Sequence, residues 1–140
     1  MSAQPILLVE DNPDDEALTL RALKRNNIAN EVIVARSGEE ALEYLFAEDQ
    51  TFEMVLLDMN LPLMNGLEVL RRLREHPRTR GLPVVMLTTS TEDEDVAASY
   101  KLGANSYVKK PVDFVEFVDA VRQVGAYWLV LNVGPGRGTP

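Results

Sequence analysis

The chain has 140 residues, 46% hydrophobic and 26% charged, with few aromatics, a balance that suits one compact domain and not a disordered tail. Its formal net charge of −8 disfavours a nucleic-acid partner, because lysine and arginine are what displace counterions from a phosphate backbone. The absence of cysteine excludes disulfides, thiolate catalysis and cysteine-ligated metal sites, and no apolar run approaches the roughly 20 residues that cross a bilayer. The N-terminus carries no secretion signal either, so the expectation is no membrane association and a cytoplasmic location.

In chain order, Ile6-Leu7-Leu8-Val9 is an unbroken apolar run, followed by helical spacing from Ala17 to Arg25. Val32 to Ala35 is a weaker strand candidate, followed by a helix over Glu39 to Ala47. A third strand, Val55-Leu56-Leu57, precedes a helix from Leu67 to Leu73, and a fourth, Val84 to Leu87, precedes a helix from Val96 to Leu102. Unbroken apolar strands of this kind are buried on both faces, as in a parallel sheet. Thr91 with Glu94 forms a capping signal for the fourth helix, and Gly103 is placed to end it. Ser106 to Val108 is a weak fifth strand. The last helix, from Phe114 to about Leu131, is capped by Asp113 with Glu116 and carries Phe114, Phe117, Val118, Val121 and Val124 on one stripe. Residues 1–133 therefore form one domain with an extended C-terminal helix, and the Gly/Pro-rich 134–140 a flexible tail. Strict alternation of strand and helix predicts a doubly wound α/β sandwich around a parallel sheet, whose ligands bind beyond the carboxyl ends of the strands.

At those strand ends stand Glu10 and Asp11, then Asp58, Thr88 and Lys110. Each has an ordinary structural explanation. Asp11 can cap a helix or close an Asx turn, Asp58 can open a turn toward Pro62, Thr88 can be a capping hydroxyl, and Lys110 a surface cation. Together they are harder to dismiss. Gathered carboxylates raise one another's pKa unless a cation joins them, and an all-oxygen ligand set suits Mg²⁺. The five arginines between Arg71 and Arg80 fit a solvated helix end, and His76 an exposed or capping role.

Leu8-Val9-Glu10-Asp11, Leu56-Leu57-Asp58-Met59-Asn60-Leu61-Pro62 with Asn65-Gly66, Leu87-Thr88-Thr89-Ser90 and Gly103 to Pro111 together resemble the receiver domains of two-component response regulators. The likeness runs from about Pro5 to Gln123. Asp11 to Asp15, Thr89-Ser90, Ser99-Tyr100, Pro111 to Phe114 and Tyr127-Trp128-Leu129 further resemble the single-domain regulators that serve phytochrome-type photoreceptor kinases. The resemblance implies a flavodoxin-like strand order 2-1-3-4-5 with five helices, and a phospho-acceptor signalling protein in place of an enzyme. Asp58 would take a phosphoryl group from the phosphohistidine of a sensor histidine kinase, with Mg²⁺ held by Asp11, Asp58 and the backbone carbonyl of Asn60, and by Glu10 through a water. Thr88 and Lys110 would grip the phosphoryl oxygens. Movement of Thr88 would make room for the Tyr107 ring and reshape the surface of the fourth helix, fifth strand and fifth helix toward a downstream partner.

Beyond Val124 the last helix is apolar in nearly every direction, which predicts a homodimer through Phe117, Tyr127, Trp128 and Leu131. Two rivals use the same residues. A Mg²⁺-dependent phosphohydrolase with an aspartyl-phosphate intermediate, of the haloacid dehalogenase type, wants an acid where Asn60 stands. A flavodoxin-like cofactor binder wants a glycine-rich phosphate loop where Glu10-Asp11 stands.

Overall fold

The computed structural model describes residues 4–88, 98–110, 115–117 and 119–120. Five parallel strands, β1 (Ile6–Val9), β2 (Val32–Ala35), β3 (Met54–Asp58), β4 (Val84–Thr88) and β5 (Ser106–Lys109), form one sheet in the order β2-β1-β3-β4-β5. Between them run α1 (Pro13–Arg25), α2 (Gly38–Phe46) and α3 (Gly66–Glu75). Residues 98–101 are helical ahead of β5, and 115–117 with 119–120 after it, as parts of a fourth and a fifth helix. The doubly wound architecture is as expected. No helix among the described residues is long and apolar enough to cross a membrane.

Every residue of β1, β3 and β4 is buried, whereas β2 is half-buried along most of its length and β5 ends exposed. The two strands that read weakly in the sequence are thus the edges of the sheet. Alternate side chains feed opposite cores. Leu7, Val9, Val55, Leu57, Val84 and Met86 pack with Ala41, Leu45, Val69, Leu70 and Leu73 of α2 and α3. Ile6, Leu8, Met54, Leu56, Val85, Leu87 and Val108 pack with Ala22 and Leu23 of α1 and with Phe117 and Ala120.

Three helices start one to four residues earlier than the apolar spacing predicts, because polar caps set their N-termini. Asn12 Oδ1 accepts from the backbone of Asp14 at 2.8 Å and Asp15 at 3.2 Å, with Pro13 following at a position that needs no N–H donor. Ser37 Oγ accepts from Glu40 N at 3.1 Å, and Asn65 Oδ1 from Glu68 N at 3.0 Å. The cap of α1 is therefore Asn12, which leaves Asp11 outside it. Gly103 ends the fourth helix as predicted. Its φ is +100°, Ala104 N donates to Ser99 O at 2.9 Å and Gly103 N to Tyr100 O at 3.0 Å, the paired bonds of a Schellman motif. The caps expected from Thr91 and Asp113 lie outside the described residues.

The arginine run is not simply a solvated helix end. Arg71 and Arg72 pair with Glu68, and Arg71 also with Glu75. Arg74, half-buried, donates instead to the carbonyls of Leu82 at 2.6 Å, Gly103 at 2.6 Å and Arg80 at 2.9 Å, clipping α3 to the turns that lead into β4 and β5. Arg78 donates to the carbonyls of Phe46 and Ala47 at the end of α2. His76 is the C-cap of α3, with its ring stacked on Phe46 at 4.6 Å.

Phe117, expected at a dimer interface, has no exposed surface and fills its own core beside Ile6 and Leu8. A side chain with nothing exposed has no surface to lend a second copy. Tyr127, Trp128 and Leu131 lie outside the described residues.

Candidate functional site

The strand order reverses between β1 and β3. The chain leaves β1 toward one layer of helices and β3 toward the other, which opens a crevice beyond their carboxyl ends. The strand pleat decides which side chains line it. Glu10 continues the phase of Ile6 and Leu8, Asp58 that of Met54 and Leu56, and Lys110 that of Val108, so all three fall on the α1 side of the sheet. Thr88 and Tyr107 follow the phase of Met86 and lie on the α2–α3 side, where Tyr107 is partly buried in that core.

Ladder hydrogen bonds carry this frame past the strands. Glu10 N donates to Ala35 O at 2.9 Å, Met59 N to Leu87 O at 2.8 Å and Lys110 N to Thr88 O at 2.6 Å. The turn after Asp58 closes on itself, with Asn60 N donating to Asp58 Oδ1 at 3.0 Å and Gly66 N to Met59 O at 2.9 Å. Asp58 is therefore both a turn former and a member of the cluster. A Cβ at Gly66 would stand 2.3 Å from Asp58 O and 2.7 Å from Met59 Cα, so only glycine lets α3 start this close to the loop. In the same loop Leu63 lies fully exposed with φ +68°, a backbone region that side chains rarely occupy.

The carboxylates of Glu10, Asp11 and Asp58 offer oxygens that all lie within 4.8 Å of one another. Glu10 and Asp58 are buried and Asp11 is exposed, so the cluster opens to solvent on one side. Lys110, 6% exposed, holds its Nζ 3.1 Å from Asp58 Oδ2, 3.0 Å from Glu10 Oε1 and 2.8 Å from Asp15 Oδ2. It donates a hydrogen bond to Glu10 Oε2 at 3.2 Å, while Oε1, though close enough for an ion pair, is buried and takes no hydrogen bond among the described residues. Burial pushes the Glu10 carboxyl up to about 7, reinforced by Asp58 and opposed by Lys110. For Lys110, burial alone would lower the pKa. Hydrogen bonds that the ammonium donates to Asp15 and Glu10, and the charges of Asp58 and Glu10, overcome that and hold it above its ordinary range.

Across the sheet edge, Asn60 Nδ2 donates to Thr88 Oγ1 at 3.1 Å, tying the side chain two residues past Asp58 to the hydroxyl at the end of β4. The structure thus brings Glu10, Asp11, Asp58, Asn60, Thr88 and Lys110 to one edge, with Tyr107 one strand turn behind. Sequence reasoning missed Asp15. Its nearness to Lys110 depends on how α1 docks, although its place in the first turn after Asn12 was visible.

The family model for the response regulator receiver domain matches residues 6–122. The chain belongs to that family. This receiver is similar to the bacteriophytochrome response regulator AtBRR, with 47% identity, a TM-score of 0.81, and 94% of this chain and 99% of that one covered. It is also similar to response regulator Rcp1 of Synechocystis, whose Mn²⁺-bound structure shares 36% identity at a TM-score of 0.75 and is covered over 95%, against 91% of this chain. A third likeness is to the phosphorylated cyanobacterial phytochrome response regulator RcpA, at 34% identity and a TM-score of 0.76, covering 91% of this chain and 94% of that one. The receiver is a two-component response regulator domain whose relatives are linked to phytochrome signalling, and the hydrolase and flavodoxin readings are not favoured.

Proposed function

We propose that Asp58 is the phosphoryl acceptor. Its carboxylate oxygen forms the new O–P bond as the P–N bond of a kinase phosphohistidine breaks, with the imidazole leaving as its own acceptor of the freed electron pair. A carboxylate is a weak nucleophile, so the site acts by positioning and by neutralising charge. The observation that carries this reading is the buried Asp58 held between Asn60 N and Lys110 Nζ, with Glu10 and Asp11 beside it.

The donor set fits a hard divalent cation, because all three clustered side chains offer oxygen and Glu10 Oε1 is buried without a hydrogen bond among the described residues. Asp11, Asp58 and the Asn60 carbonyl would hold Mg²⁺, with Glu10 reaching it through water, and the ion would neutralise charge on the transferring oxygens. The Mn²⁺ carried by Rcp1 supports a divalent ion here. Lys110 and Thr88 supply a cation and a hydroxyl to the phosphoryl oxygens. To do so, Thr88 exchanges its contact with Asn60 for one with the phosphoryl group, and the vacated space admits Tyr107 from the same face of the sheet.

The donor is a sensor histidine kinase, of phytochrome type by likeness to AtBRR and RcpA, and the chain works beside it in the cytoplasm. The domain comprises 1–133 with a tail at 134–140, and a homodimer forms through Tyr127, Trp128 and Leu131. Light scattering that finds a monomer at micromolar concentration, phosphorylated or not, would remove the dimer. Asp58→Asn abolishes uptake of phosphate from acetyl phosphate or kinase with Mg²⁺; mass spectrometry showing normal uptake by that variant would refute the assignment.

A further inference from the structure

An ammonium has three hydrogens to donate, and among the described residues three carboxylates surround that of Lys110: Asp15 at 2.8 Å, Glu10 at 3.0 Å and Asp58 at 3.1 Å. For Lys110 to grip a phosphoryl oxygen, one of them must yield. The Asp58 carboxylate gives up its charge when it is phosphorylated, and Glu10 belongs to the group of oxygens that can turn to a cation. Asp15 does neither. It stands outside that group, on the first turn of α1, and its side chain keeps 24% of its surface in water.

The frame holding Asp15 is stiff. Its N–H bonds the Asn12 cap at 3.2 Å, and its carbonyl accepts the buried Thr19 hydroxyl at 2.9 Å. When the other two carboxylates are engaged elsewhere, Asp15 remains on the lysine, so that its negative charge is shared with the cation the phosphoryl group needs.

We infer that Asp15 is a positioning residue that acts through Lys110 as a brake on phosphoryl retention, weakening the lysine's grip and shortening the life of the aspartyl phosphate. The inference rests on Asp58 being the acceptor. An acid in the first turn of a helix also suits the helix dipole, but Asp14 and Glu16 occupy the same turn, and Asp14 is exposed and makes no ion pair with Lys110 among the described residues.

That difference supplies the test. Beryllofluoride, which imitates a phosphoryl group on the acceptor carboxylate, is titrated with Mg²⁺ into wild type, Asp15→Asn and Asp14→Asn by ¹⁹F NMR, and phosphoryl decay is followed in parallel. Asp15→Asn is expected to bind about tenfold more tightly and to lose phosphate correspondingly more slowly, the scale of one charged contact in a partly buried site. Asp14→Asn should stay within about twofold of wild type, since an exposed charge is screened. An Asp15 that merely supported the fold would give a looser site on substitution. Unchanged or weaker binding by Asp15→Asn, or equal gains in both variants, would overturn the inference and leave Asp58 in its role. A wild-type chain that takes up no beryllofluoride would instead overturn the acceptor reading and this inference with it.

Discussion

Gly66→Ala isolates the dependence of the acceptor loop on one missing methyl group. The new Cβ would lie 2.3 Å from Asp58 O, 2.7 Å from Met59 Cα and 3.0 Å from Asp58 C, all backbone atoms that cannot swing aside. Restoring ordinary contact requires a shift of roughly 1 Å between α3 and the segment carrying the acceptor, against a packed core; overpacking of this kind costs about 1–3 kcal/mol. For a chain of this size that corresponds to a fall in Tm of roughly 3–10 °C. The same displacement moves Asp58 relative to Lys110 and the neighbouring carboxylates, and a misplacement of about 1 Å can slow a positioned reaction by about 100-fold. Gly81→Ala is the control, because its Cβ would meet nothing within 4 Å among the described residues, and a change there should stay within about 0.5 kcal/mol. Thermal melts and the rate of phosphorylation by acetyl phosphate are measured for both. If Gly66→Ala melts and reacts like Gly81→Ala, the close approach of α3 to the acceptor loop does not govern the site.

Lys110→Ala removes the ammonium that Glu10, Asp15 and Asp58 share. Loss of one partner from a buried ion pair costs about 3–5 kcal/mol, so the metal-free variant should melt well below wild type and recover in Mg²⁺; an EDTA melting curve identical to wild type would show that the lysine does not hold the cluster. The metal-free protein should also lose stability as pH rises. Glu10 titrates at about 7 in the fold against an ordinary 4.5, so between those values the folded chain keeps a proton that the unfolded chain has released. The contribution is full below the lower value and lost as pH passes the upper one. Saturating Mg²⁺ selects the ionised carboxylate and should flatten the slope; melting temperatures that do not fall with pH in EDTA would contradict the assigned environment of Glu10.

Much of this molecule is legible along the chain. Ile6–Val9, Met54–Asp58 and Val84–Thr88 announce themselves because strands covered on both faces must be apolar at every position. The edge strands β2 and β5 read weakly, since an edge position with one open face tolerates Arg36 after the one and Lys109 at the end of the other. Helix starts were misplaced for a local reason: Asn12, Ser37 and Asn65 satisfy first-turn amides without belonging to any apolar stripe.

Residue type and position at the strand ends were enough to nominate Glu10, Asp11, Asp58, Thr88 and Lys110, because the strands of an alternating β/α chain run parallel and their carboxyl ends all fall at one edge of the sheet. What depended on three-dimensional packing was how those groups pair. The docking of α1 set Asp15 on Lys110, the approach of α3 made Gly66 obligatory, and the folding of the α3 end turned Arg74 into a clip between distant turns. Strand phase and capping are written in neighbouring residues, whereas a contact across ninety-five positions of chain exists only once helices have packed on the sheet; Asp15 and Lys110 are such a pair.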